Sequence, residues 1–201
     1  MANICDCAVA IDMRDIKNND TLKQAIIRLE NPVDGYELVE EYKTKAGDTY
    51  RRIHNLEGGY TYTKNDEPTT VEDWRDNLDW TNFRRVEEVV YSNGWRIDLN
   101  ALQLFPYESS VDVAEFDDHL TLYFGGRWAF PEKLEDRLNE LGVLWQGAGA
   151  EGGCDYYDSE IGNADFGLRW YKGKGEDGDT DWWVEDTTDL SEEELNKFEK
   201  E

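Results

Sequence analysis

The stretch from Leu120 to Trp170, which begins LTLYFGGRWAFPEKLEDRLNELGVLWQ, constrains the fold more than any other part of this chain. Leu120, Leu122 and Phe124 alternate with Thr121 and Tyr123, the period of two that marks a half-buried strand. Pro131 stands where a first-turn proline loses no hydrogen bond. Leu134, Leu138 and Leu141 then form one stripe of a helix, and Gly142 suits its C-cap. Val143 to Trp145 opens a second strand, so the segment predicts a strand–helix–strand unit.

Other segments add to this core. Ile4 to Met13 predicts a strand that is apolar on both faces and therefore central. Asp20 is placed to cap a helix with the stripe Leu22, Ile26 and Leu29, ending before Pro32. Residues 36–63 hold short β-like runs parted by AGD and NLEGG, a β meander. Thr70 opens a helix with Asp73 at the capping-box position, while Phe83 to Tyr91 fits helix or strand equally. Trp95–Leu99, Phe166–Tyr171 and Asp181–Glu185 are further β-like runs. Ser191 and Glu194 form a capping box. The expectation is one α+β domain over 1–201, with a ferredoxin-like, split βαβ core. A β meander plus helix is inserted at 31–80, and an acidic terminal helix occupies 189–201.

Four short motifs resemble a known family. NICDCAVAI at Asn3–Ile11, SNGWRID at Ser92–Asp98, LTLYFGGRWAFP at Leu120–Pro131 and GAEGGCDYY at Gly149–Tyr157 are similar to the YubB ferredoxin-like, or Api92-like, proteins of phages and plasmids. The resemblance covers roughly residues 1–30 and 83–170, and this chain lacks the family's second proline after Trp128. It implies a mobile-element origin and a ferredoxin-like core. It implies no catalytic residues.

Charge is the second strong constraint. Twenty-one basic residues against 46 acidic ones give a net charge of −25 in 201 residues. The load is uneven: residues 1–30 hold four basic and five acidic groups, whereas 151–201 hold five basic and 17 acidic groups. Such a chain is repelled by nucleic-acid phosphates and anionic membranes and drawn to basic protein surfaces. Solubility or adaptation to high salt explains the same composition. Eight Trp, 11 Tyr and seven Phe argue against a disordered acidic chain, which would be poor in aromatics. With no run of 18 apolar residues, no basic–apolar leader and an odd cysteine count (Cys5, Cys7, Cys154), a cytoplasmic protein with reduced thiols is expected.

Motifs for small ligands fail on context. Gly147-Gly149-Gly152 and Gly173-Gly175-Gly178 match a dinucleotide fingerprint, but the first runs into CDYYDSEIGN, with no helical stripe, and the second carries Glu176 and Asp177. Asp177, Asp179 and Asp181 have calcium-loop spacing, yet Trp182 replaces the turn glycine and Thr188 the bidentate glutamate. Cys5 and Cys7 continue an apolar strand face with Val9 and Ile11, which favours small buried thiols over zinc ligands. His54 and His119 belong to no catalytic motif. No cofactor, metal or catalytic residue is expected.

The functional expectation is a non-enzymatic phage or plasmid inhibitor. Its acidic surface would imitate nucleic acid on the basic groove of a host enzyme, such as a CRISPR effector or a restriction enzyme, without binding nucleic acid itself. Partner-binding candidates are Asp177, Asp179, Asp181, Glu185 and Asp186, with Trp182 and Trp183 as aromatic anchors. The alternatives are a mobile-element regulatory or structural protein with another target, and a small-ligand-binding or enzymatic module.

Overall fold

A computed structural model describes residues 4–78, 80–107, 110–174 and 179–198. In chain order the elements begin with β1 (Ile4–Asp12), α1 (Met13–Asn18), α2 (Leu22–Ala25) and β2 (Ile26–Arg28). Next come β3 (Gly35–Lys43), β4 (Thr49–His54), β5 (Tyr60–Lys64), β6 (Glu67–Pro68) and α3 (Val71–Asp76). They are followed by β7 (Arg84–Ser92), β8 (Trp95–Asp98), α4 (Leu99–Leu102), β9 (Val111–Glu115) and β10 (His119–Arg127). The chain ends with α5 (Glu132–Leu141), β11 (Trp145–Glu151), β12 (Tyr156–Gly162), β13 (Leu168–Lys174), β14 (Thr180–Asp186) and α6 (Glu192–Phe198). Two compact units result, Met1–Ile26 with Ala101–Glu201 and Ile27–Asn100.

The ferredoxin-like α+β expectation is overturned. Strand makes up 48% of the structure and helix 20%, arranged as antiparallel sheets of five, seven and two strands, so the protein is mostly β. Three local readings account for the difference. Phe83 to Tyr91, ambiguous by pattern, contributes the nine-residue strand β7. The helix expected from Asp20 to Pro32 is cut to the four residues of α2, and Ile26 is already extended in β2. The late runs pair with each other as a β13–β14 ribbon.

In the first unit the five-stranded sheet has the order β12-β11-β1-β10-β9. β1 is central, pairing Val9 with Leu122 on one side and Gly147 on the other. Its two faces differ in kind. Cys5, Cys7, Val9, Ile11, Leu120, Leu122, Phe124 and Trp145 form an apolar face. α5 covers it with Leu134 and Leu138, both fully buried, and Asn139 of α5 accepts a hydrogen bond from the Trp145 indole at 3.2 Å. Phe130 stacks on Trp145 with centroids 6.0 Å apart, over Gly147, where a Cβ would meet the Phe130 ring at 2.7 Å. The opposite face carries Ala8, Ala10, Ala148 and Ala150, whose small side chains let Leu168 and Val184 of the ribbon pack closely.

In the second unit the sheet order is β2-β8-β7-β3-β4-β5-β6. Thr70 caps α3 by accepting the Asp73 N–H at 3.1 Å. α3 then buries Trp74 against Tyr42 and Tyr50, which stack 5.1 Å apart. The buried carboxylates of this unit are matched by arginines. Glu41 pairs with Arg51 and Arg84, Glu40 with Arg52, and Glu88 with Arg85 while accepting from the Tyr36 hydroxyl. The Arg84 guanidinium, then Arg51, holds Glu41 below the usual carboxylate range despite its burial.

Leu138→Asp is expected to unfold the first unit. An unpaired charge in a fully buried site costs several kcal/mol, of the order of a whole domain's margin of roughly 5–15. Loss of the cooperative thermal transition by circular dichroism is the readout; a near-native melt would contradict the packing of α5.

Candidate functional site

The candidate site is built on the β13–β14 ribbon, which pairs with itself alone and must be held to the sheet by side chains. Buried backbone N–H and C=O groups need partners, and the ribbon-facing side of the sheet supplies them. The Gln146 carboxamide, 2% exposed, makes four bonds. It accepts from the N–H of Phe166 (2.7 Å) and Leu168 (3.1 Å) and donates to the carbonyls of Leu168 (3.0 Å) and Ser159 (2.6 Å). Asp6 accepts the Val184 N–H at 2.7 Å, and the Tyr123 hydroxyl accepts the Asp186 N–H at 3.2 Å.

His119 secures the end of β14. The imidazole is fully buried between Phe116 (4.6 Å, stacked) and Phe166 (5.0 Å). Its Nε2 meets Asp186 at 2.8 Å and its Nδ1 meets Asp118 at 2.5 Å. Asp186 also accepts from the Thr121 hydroxyl at 2.7 Å and from the Thr188 N–H at 3.0 Å. Burial opposes the charge on His119, but Asp186 and then Asp118 outweigh it and raise its pKa. Burial likewise pushes Asp186 up, yet its bonds from His119, Thr188 and Thr121 hold it below the usual value. Both ring nitrogens are engaged and both faces are covered, which leaves a substrate no approach; the cluster is an anchor.

The partner-binding candidates separate accordingly. Asp177 lies outside the described residues. Asp179 and Asp181 are exposed, and Glu185 is half-buried on the outward face, opposite Arg169. Asp186 needs correction: a buried carboxylate committed to His119 and Thr121 has no face to offer a partner. Strand alternation turns Trp182 inward, its ring lying over Gly152, where a Cβ would meet it at 2.5 Å. Trp183 points outward beside Tyr171, with centroids 6.2 Å apart.

Asp181 and Trp182 meet residues that the sequence reading passed over. At the end of the sheet where β1 begins, a cavity of about 270 Å³ is lined by Ile4, Asp6, Glu151, Asp181 and Trp182 with the Gly152–Gly153 backbone. Burial, then the nearby Asp181, raises the Asp6 pKa. The same end of the sheet exposes Ile4 (45%), Tyr107 (47%) and Trp128 (44%). Trp128 holds a left-handed backbone with φ of 71°, a strained state for a bulky residue. The motifs RWAF and AEGG signal this end only as fragments, because neither names the strand that brings them together.

Other features carry less. A larger cleft of about 560 Å³ is lined by Ser159, Glu160, Asp165 and Arg169, but Arg169 is already held by both oxygens of Asp165 at 3.1 and 3.0 Å. Gly147, Gly149 and Gly152 lead into a short 3-10 turn and β12, not an α-helix. Cys5 and Cys7 are buried with their sulfurs 3.4 Å apart, and Cys154 is exposed. No group of three or more His, Cys, Asp or Glu among the described residues is arranged to hold a metal. Among those residues, no helix is long and apolar enough to cross a membrane. Compared with known protein families, curated proteins and solved structures, the chain matches none.

The anchor has a pH signature. A raised His pKa contributes stability that is complete below the unfolded value of about 6.5 and is lost as pH rises through the folded value. The depressed Asp186 contributes above about pH 4 and loses its share as pH falls through its folded value. Thermal stability should therefore decline above the ordinary histidine range. In His119→Gln, melts between pH 5 and 9 should be lower but flatter; an unchanged alkaline slope would remove His119 as its source.

Proposed function

We propose that this chain is a non-enzymatic anti-defence protein of a phage or plasmid, acting in the cytoplasm of a bacterial host. Its first unit occupies the basic groove of a nucleic-acid-handling enzyme, of the CRISPR-effector or restriction type, and excludes DNA or RNA from it. One observation carries this reading. Among the described residues of that unit, seventeen acidic side chains are exposed against seven basic ones. Grooves that bind phosphates are lined with Lys and Arg, so a folded surface of this sign competes for them. The outward ring of Trp183 beside Asp181 adds an apolar contact that nucleic acid lacks. The mobile-element origin comes from the resemblance of the NICDCAVAI, SNGWRID, LTLYFGGRWAFP and GAEGGCDYY motifs.

The test is competition on a target captured from host lysate. Target DNA or RNA should displace the protein, and the protein alone should bind neither. Association should slow about tenfold between roughly 50 and 300 mM salt, because steering fields are screened within about 8 Å at physiological ionic strength. Asp179→Lys with Asp181→Lys should lower the on-rate, whereas Trp183→Ala should raise the off-rate by about tenfold. Asp186 stays unchanged in these variants, since a lysine there would break the anchor. A double-lysine variant that associates at the parental rate would exclude the ribbon from the docking face. Failure of nucleic acid to compete would remove the mimicry reading.

A further inference from the structure

We propose that the end of the five-stranded sheet around Trp128 is a docking face for a basic protein surface, with the Trp128 ring as its anchor. This names a contact face for the docking reading above and rests on it for the partner's sign of charge. Three exposed apolar side chains gather there. Trp128 directly follows β10. Ile4 lies opposite Arg127 on β1, its Cγ2 3.1 Å from where a Gly125 Cβ would stand. Tyr107 flanks the other edge of β10 and donates its N–H to the Gly125 carbonyl at 2.8 Å. Single exposed apolar residues are ordinary, but several at one spot mark a contact surface. Trp and Tyr are also the residues that carry most binding energy once covered.

Trp128 adds an independent observation. Its backbone is left-handed, with φ of 71°, a conformation that glycine or asparagine adopts readily and a bulky residue does not. The turn dictates it. Phe130 is buried against Phe124 and Trp145, and the Ala129 carbonyl lies 2.7 Å from where a Gly126 Cβ would stand. The chain therefore doubles back straight after Arg127 and leaves residue 128 outside. Among the described residues, the Trp128 ring packs on no other ring and its indole N–H meets no acceptor. An indole stands where glycine would be unstrained, and both its face and its donor are open to a partner. Charge selects that partner. A second copy of this chain, an anionic membrane and nucleic acid are all repelled by a net charge of −25. Exposed Arg127 adjoins Trp128, so the sign is set by the field of the whole first unit, with its seventeen exposed acidic side chains against seven basic ones among the described residues. A protein surface with Lys or Arg around an apolar side chain satisfies both the field and the patch.

The test uses the full chain and three capped tetrapeptides, Lys-Leu-Leu-Lys, Lys-Gly-Gly-Lys and Glu-Leu-Leu-Glu, followed by NMR. The first should give saturable shifts at the Trp128 indole, the Ile4 methyls and the Gly125 amide. The second should bind at least several-fold more weakly, and the third should leave the patch unmoved. Trp128→Gly should weaken binding of the first about tenfold while leaving the thermal midpoint unchanged, since glycine suits the left-handed turn. Trp128→Asn should behave in the same way. Trp80→Ala, which removes an exposed indole from the second unit, should change nothing. A clear fall in the midpoint of both Trp128 variants would make the ring a packing group and overturn the anchor. Equal binding of either other peptide, diffuse shifts over the acidic surface, or patch shifts that follow protein concentration alone would overturn the docking face. The two readings fail separately. Peptide binding at the patch without nucleic-acid competition at the target sinks mimicry alone, and competition without patch shifts sinks the Trp128 face alone.

Discussion

A two-stranded ribbon lying across a five-stranded sheet with no shared backbone ladder has to be fastened by side chains, and the first unit is organised around that requirement. Gln146 spends three of its four hydrogen bonds on the task, at Leu168 and at Phe166 just before β13, and the fourth on Ser159 of β12. Asp6, Tyr123 and the His119–Asp186 pair complete the fastening. Between these polar posts the sheet presents alanines, so that Leu168 and Val184 can approach closely. Polar and apolar contacts depend on one another here. The alanine floor brings the ribbon within hydrogen-bond reach, and the bonds make its burial tolerable.

Acidic residues therefore play two unlike parts. In the second unit, Glu40, Glu41 and Glu88 lie in the sheet and are matched by Arg52, Arg51, Arg84 and Arg85. In the first unit, Asp186 is matched by the His119 ring and Asp12 by Arg14. Asp6 and Glu151 are met by backbone N–H groups without a cation. Net charge alone could not separate carboxylates that hold the fold from those that face outward.

Much of the local structure was legible in the sequence because it follows from short-range chemistry. The Leu134–Leu138 stripe, the Gly142 stop at φ 65° and the Thr70 cap all depend on neighbours within a few residues. The sheet architecture was not legible, because strand partners are chosen across long separations. Nothing in Phe83–Tyr91 announces that β7 pairs with β3, more than forty residues earlier. The same limit governed the site. Alternation along β14 told that Trp182 and Trp183 face opposite ways, but Asp186 fell inside because it meets His119, 67 residues away. Glu151 passed unnoticed within a glycine-rich turn, where its carboxylate caps the turn by accepting the Gly153 N–H.

The unequal loading of the two units has a dynamic consequence. The first unit carries 30 acidic and 11 basic residues, the second 16 and ten, so about three-quarters of the net charge of −25 sits on one body. The field of any cationic surface therefore pulls about three times as hard on the first unit as on the second.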